Sequence, residues 1–121
     1  MNIKLVGLFY LVLIYASANA QEIKIEANKA AFHVGKTVMA CGQLMETKHL
    51  TNRHYLNLDN KYPNQSLTLL VCDKDYKWFE NRFGEIDSMV GSRFCARGKI
   101  EEYKNNLQIQ VTNPQFLRLM K

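Results

Sequence analysis

Residues Arg53 to Val71 read RHYLNLDNKYPNQSLTLLV. Over His54–Asp59, Leu56 and Leu58 alternate with Tyr55 and Asn57; over Ser66–Cys72, Leu67, Leu69 and Val71 take the matching places. Period-two alternation buries one row of side chains and leaves the other row facing out. The intervening NKYPNQ is polar and carries Asn and Pro, which favour a turn. The stretch therefore predicts a β-hairpin, and its outward row needs a purpose.

The same period recurs on both sides of the hairpin. Thr37–Met45 sets Val38, Ala40, Gly42 and Leu44 against Met39, Cys41, Gln43 and Met45, which predicts a first strand, and the polar, basic ETKHLTNR after it reads as a loop. Upstream, Asn28 is placed to cap a short helical turn through Lys29–Ala31, with HVGK turning the chain into that strand. After Cys72 the period changes. Tyr76, Phe79 and Phe83 in DYKWFENRF recur at spacings of three and four, the stripe of a short helix, and Gly84 ends it. Arg93–Glu101 returns to alternation with Phe94, Ala96, Gly98 and Ile100 inward. Leu107, Ile109 and Val111 then form a last strand, which Pro114 stops.

Three strands, one helix and two strands is the element order of the OB-fold, so the expected class is all-β: a five-stranded Greek-key OB-fold barrel with one short helix between strands three and four. An SH3-like barrel or a split sandwich also uses five strands, but neither usually places its one helix there. The phrases HVGKTVMACGQL, YLNLDNKYPNQSLTLLV and VGSRFCARGKIEEYKNNLQIQVTNP, in that order, resemble a group of small exported bacterial OB domains related to the tRNA-anticodon-type nucleic-acid-binding OB family. The resemblance spans Ala27 to Pro114 and implies an OB fold and nucleic-acid binding. The sequence departs from that pattern at Cys72, where an aliphatic residue is usual, and at Asp59, where glycine is common.

In OB domains the outer face of strands two and three, flanked by the loops after strands one and four, is the usual ligand platform. Here it would present Tyr55 and Asn57 from strand two, Tyr62 from the hairpin turn, Lys48, His49 and Arg53 from the first loop, and Tyr103 and Lys104 from the last. Aromatic rings stack on bases, and Lys and Arg pair with phosphates, so the mix suits single-stranded DNA or RNA. A protein, peptide or small ligand on the same face is the alternative. Each residue also has a structural reading: Tyr55 packs across the strands, Tyr62 locks the turn beside Pro63, the charges are solvated, Gln108 and Gln110 meet water, and Trp78 partly plugs the barrel.

At 121 residues the chain has room for one domain and one core, which excludes a multidomain enzyme. Its first twenty residues do not belong to that core. MNIK, the apolar run LVGLFYLVLIYA and SANA before Gln21 have the form of an export signal cut after Ala20, too short an apolar run for a membrane anchor. Residues 21–121 are then the single OB domain, periplasmic or secreted, with no stable membrane insertion. Loss of Lys4 lowers the formal charge from +5 to +4, a modest basic excess that favours anionic partners.

Export allows Cys41, Cys72 and Cys95 one bridge and one spare thiol. OB strands one and four run antiparallel, and a register pairing Cys41 with Cys95 also pairs Met39 with Arg97 and Thr37 with Lys99, keeping parity along the ladder. A Cys41–Cys95 disulfide with Cys72 free is expected. His33, His49 and His54 lack paired metal spacing, Asp73, Asp75, Glu101 and Glu102 read as loop or cap positions, and Cys72 has no evident base. No enzymatic activity, metal or cofactor is expected.

Overall fold

A computed structural model describes residues 22–120. The export signal expected at residues 1–20 lies outside the described residues. The elements are β1 (Ile23–Glu26), a 3-10 segment (Ala27–His33), β2 (Thr37–His49), β3 (Arg53–Leu58), β4 (Leu67–Cys72), helix α1 (Asp73–Phe83), a 3-10 turn (Ile86–Met89), β5 (Arg93–Tyr103), β6 (Asn106–Gln110), a 3-10 turn (Pro114–Phe116) and β7 (Leu117–Met120). The five expected strands are β2 to β6, and α1 lies between the third and fourth of them.

The count of five is corrected to seven. β1 pairs in parallel with β2, and β7 pairs antiparallel with β5. Nor is the sheet a plain five-stranded barrel, because β2 and β5 each run through two sheets. They pair with each other between β1 and β7 in one, and they bound β3, β4 and β6 in the other. β4 and β6 pair in parallel, and β2, β3, β4, β6 and β5 lead round to the β5–β2 pairing.

Alternation places the core. Val38, Ala40 and Leu44 of β2, Leu56 and Leu58 of β3, Leu67, Leu69 and Val71 around β4, Phe94, Ala96 and Ile100 of β5, and Ile109 of β6 are all buried together. Helix α1 adds Tyr76 and Phe79, and Phe83 meets Phe94 edge-on at 6.2 Å. The helix ends at Gly84, whose φ of 83° suits a residue without a Cβ and whose N–H donates to Glu80 O. Trp78 does not plug the barrel; it is 63% exposed, and Phe79 takes the interior position.

Two local expectations also change. The 3-10 segment is preceded by Glu26 rather than capped by Asn28. ETKHLTNR is not all loop either, since β2 continues to His49 through a register shift between Leu44 and Glu46, an extra residue of the β-bulge kind. That shift exchanges the two faces of the strand beyond it. Glu46 and Lys48 come to lie opposite Asn57 and Tyr55, and Thr47 and His49 opposite Leu56 and His54.

The disulfide joins Cys41 to Cys95, in the register that also pairs Met39 with Arg97 and Thr37 with Lys99, and Cys72 is free. The bridged cysteines lie on the rows opposite Ala40 and Ala96, and they too are buried. At their level β1 and β7 flank the pair, and ion pairs from Arg93 to Glu26 and from Arg97 to Glu22 run toward the β1 side.

Candidate functional site

Strand register builds one cleft from the outward row. Lys48, Tyr55 and Leu70 lie abreast on β2, β3 and β4, as do Glu46, Asn57, Thr68 and Gln108 on β2, β3, β4 and β6. Over that row stand the β3–β4 turn, carrying Tyr62, and the β5–β6 hairpin. Tyr103 pairs with Asn106 there, around a two-residue turn in which Lys104 and Asn105 both have positive φ, 49° and 65°. A turn with two positive φ values matches the right-handed twist of its strands and holds the tip in place.

The resulting cleft is about 340 Å³ and brings together Lys48, Arg53, Tyr55, Asn57, Tyr62, Tyr103 and Lys104, all expected from the sequence. Gln65, Thr68, Asn106 and Gln108 line it as well. Thr68 was open to the same alternation argument as Tyr55. Gln65 and Asn106 lie where turn meets strand, and no periodicity marks them.

The polar floor is a directional network. Gln65 Nε2 donates to Thr68 Oγ1 and to Asn106 Oδ1, both at 3.2 Å; Thr68 Oγ1 donates to Asn57 Oδ1 at 2.7 Å; Asn57 Nδ2 donates to Glu46 Oε1 at 2.8 Å. The same Glu46 oxygen accepts from the Tyr62 backbone N–H at 3.0 Å. These bonds, Tyr62 first and Asn57 next, hold the Glu46 carboxyl below its ordinary value. Asn57, expected to be presented on the outer face, lines the cleft but is buried, 3% exposed, with its amide engaged by Glu46 and Thr68.

The walls differ from the floor. Tyr62 and Tyr103 are exposed, and Tyr55 is half-buried. The Arg53 guanidinium lies 5.8 Å from the Tyr55 ring centre, and Lys104 Nζ lies 5.3 Å from that of Tyr103. Among the described residues, Lys48, Arg53 and Lys104 take part in no ion pair. Arg53 Nε and Gln65 Oε1, both from residues lining the cleft, are buried without a hydrogen-bond partner. Three cations free of direct ion pairs, beside three tyrosines, can hold an anionic, aromatic ligand.

His49 is not part of the cleft. The shifted register of β2 turns it to the opposite face, where its Nδ1 lies 2.7 Å from Nδ1 of His54 and its Nε2 lies 2.8 Å from Asp87 Oδ1. Trp78 lines a shallow groove with Asp75, Arg82 and residues 112–115, separate from the cleft. Among the described residues no group of three or more His, Cys, Asp or Glu is arranged to hold a metal ion, and no helix is long and apolar enough to cross a membrane.

No protein-family model and no curated protein matches the sequence. Solved structures do match the fold. One chain of the S. pombe Stn1–Ten1 complex superposes with a TM-score of 0.52 at 13% identity, over 70% of this chain and 58% of its own length. A Leishmania major Friedlin protein assigned as an aspartyl-tRNA synthetase gives 0.53 at 12% identity, over 85% of this chain and 22% of its own. The OBody AM1L10, solved bound to hen egg-white lysozyme, gives 0.53 at 12% identity, over 74% and 83%. With the strand order and the single interposed helix, these similarities define an OB-like fold.

Proposed function

We propose that this chain is an exported OB-fold binding protein whose cleft takes single-stranded DNA or RNA, with bases stacked on its tyrosines and phosphates on its lysine and arginine side chains. It is a binder and carries out no catalytic step. The observation that carries the reading is the composition of the cleft walls: Lys48, Arg53 and Lys104, none of them in a direct ion pair, beside Tyr55, Tyr62 and Tyr103. The ordered polar floor beneath them holds the tyrosine-bearing turn and strand in place, with the Glu46 carboxylate engaged by Asn57 and the Tyr62 N–H. A cleft of this size falls within the range of small-ligand sites and admits a nucleoside. Fold neighbours named for a tRNA synthetase and for Stn1–Ten1 are compatible with this reading. The Cys41–Cys95 bridge, with the signal-like first twenty residues, fits an oxidising compartment, periplasmic or extracellular.

Fluorescence anisotropy with labelled oligonucleotides on the oxidised protein tests the proposal. Affinity should fall as salt rises, with a log–log slope of about −2 if three phosphates are neutralised on a single strand. Absence of binding at low salt would end it. The second reading, a protein or peptide ligand on the same face, is favoured by the OBody neighbour bound to lysozyme and by the tyrosine-rich walls. It predicts binding that salt weakens far less.

A further inference from the structure

Four side chains on the face opposite the cleft form a chain that the binding reading does not use. Asp87, on the 86–89 turn, lies 2.8 and 3.1 Å from His49 Nε2 through its two oxygens. His49 Nδ1 lies 2.7 Å from His54 Nδ1, and His54 Nε2 lies 2.8 Å from Oδ1 of Asp73, the first residue of α1. Thr47 Oγ1 donates to Asp87 at 2.6 Å, and the Tyr76 ring stacks on His54 with centroids 3.8 Å apart and planes 12° from parallel.

The contacts along this chain can be counted in protons. An ionised carboxylate only accepts, so each Nε2 that meets one carries a hydrogen. Two ring nitrogens at 2.7 Å need one hydrogen between them, because two lone pairs at that distance repel. Making all three contacts at once therefore takes three protons on the two rings, one more than two neutral rings carry.

We propose that His49 and His54 share a single proton, and that this proton holds the two rings, and with them the tip of the β2–β3 hairpin that carries Lys48 and Arg53 of the cleft, in the one arrangement that also meets Asp87 of the 86–89 turn and Asp73 of α1. The groups facing the pair are Asp87 from that turn, Asp73 and Tyr76 from α1, and Thr47 from β2, with the Glu80 charge also acting on Tyr76. Burial, reinforced by Asp87 and Glu80, pushes the Tyr76 phenol up to about 12, so it stays neutral beside the rings. The carboxylates at either end complement the one cation between them. Loss of the shared proton leaves two lone pairs face to face, and the rings part. The Asp73 N–H still donates to Asn52 O at 3.0 Å, so the loosening is confined to the hairpin end. The consequence for ligand rests on the cleft reading; the shared proton does not.

Long-range proton–nitrogen NMR of the imidazoles in the oxidised protein, between about pH 5 and 9 around the ordinary histidine range, separates the two. In acid, both Nε2 atoms should carry hydrogen and the two Nδ1 atoms should share one. As pH rises, both Nδ1 signals should move with one common midpoint, together with the backbone amides of Lys48 to Arg53. Asp87→Asn, an exposed and conservative change, should lower that midpoint by removing a charge from beside the cation. Independent midpoints for the two rings overturn the proposal, as does displacement of the Nδ1 hydrogen by one equivalent of zinc, which would make the pair a metal site. Oligonucleotide binding that weakens through the common midpoint, and ceases to depend on pH in His49→Phe, extends the effect of the shared proton to the cleft. Binding without a common midpoint refutes the shared proton and spares the cleft reading.

Discussion

Tyr55 and Asn57 stand two apart on one strand and share a face, yet they do different things. Tyr55 keeps part of its ring open to the cleft, whereas Asn57 is spent in the bond to Glu46 that orders the floor. Alternation gave both residues the same face; what separates them is reach. The short Asn57 side chain stays at sheet level among polar neighbours, while a tyrosine ring extends beyond it. Replacement of Tyr103 or Tyr55 by Ala should weaken oligonucleotide binding about tenfold, from ~1–3 kcal/mol of stacking, with little change in unfolding free energy for the exposed Tyr103. Asn57→Asp should instead destabilise by roughly 2 kcal/mol at neutral pH, since it sets a second carboxylate against Glu46 and removes a donor. Urea titration at two pH values checks the sign. Because the folded value for Glu46 is lowered, its contribution is present above the ordinary carboxylate range and is lost as pH falls through that lowered value. Asn57→Asp should therefore differ less from the parent protein in acid.

The elements legible in the sequence were those long enough to show a period. β3, β4, β5 and α1 each place two or more large apolar residues at the diagnostic spacing, and their ends fall within two residues of expectation. β1 and β7 were missed because four-residue edge strands bury little, Ile25 in one and Leu117 in the other, and one or two inward residues define no period. The last four residues of β2 were hidden by its register shift, which breaks alternation where Glu46–His49 turns polar. The same shift explains the site residue placed on the wrong face: it sends Lys48 into the cleft and His49 away from it. A further element-scale test lies at Gly98. A Cβ there would stand 2.5 Å from Ile109 Cγ2, so the β5–β6 pair closes over a position without a side chain. Gly98→Ala should cost about 1–3 kcal/mol through overpacking, measured by denaturant unfolding.

At the scale of the whole molecule, the fold is tied between strands that are far apart in sequence. The disulfide spans 54 residues and pins β2 to β5, the two strands that run through both sheets. By loop-closure entropy the bridge should contribute about 4 kcal/mol, read as the difference in unfolding free energy between oxidised protein and a Cys41→Ala, Cys95→Ala double variant. The sequence carried this pairing because register constrains parity: once β2 and β5 were placed antiparallel, the two cysteines could face each other. It did not carry the cleft's depth or its amide floor, which depend on where the 59–66 turn and the β5–β6 tip come to rest above the sheet.

Amide and side-chain NMR mapping of an oligonucleotide titration on the oxidised protein tests whether the β2–β4 outer face is a single-strand-binding cleft. Shifts should concentrate at Lys48, Arg53, Tyr55, Tyr62, Tyr103, Lys104 and Gln108, and vanish when Lys48, Arg53 and Lys104 are replaced together by Ala. Shifts centred on the Trp78 groove, or none at low salt, would contradict the cleft reading.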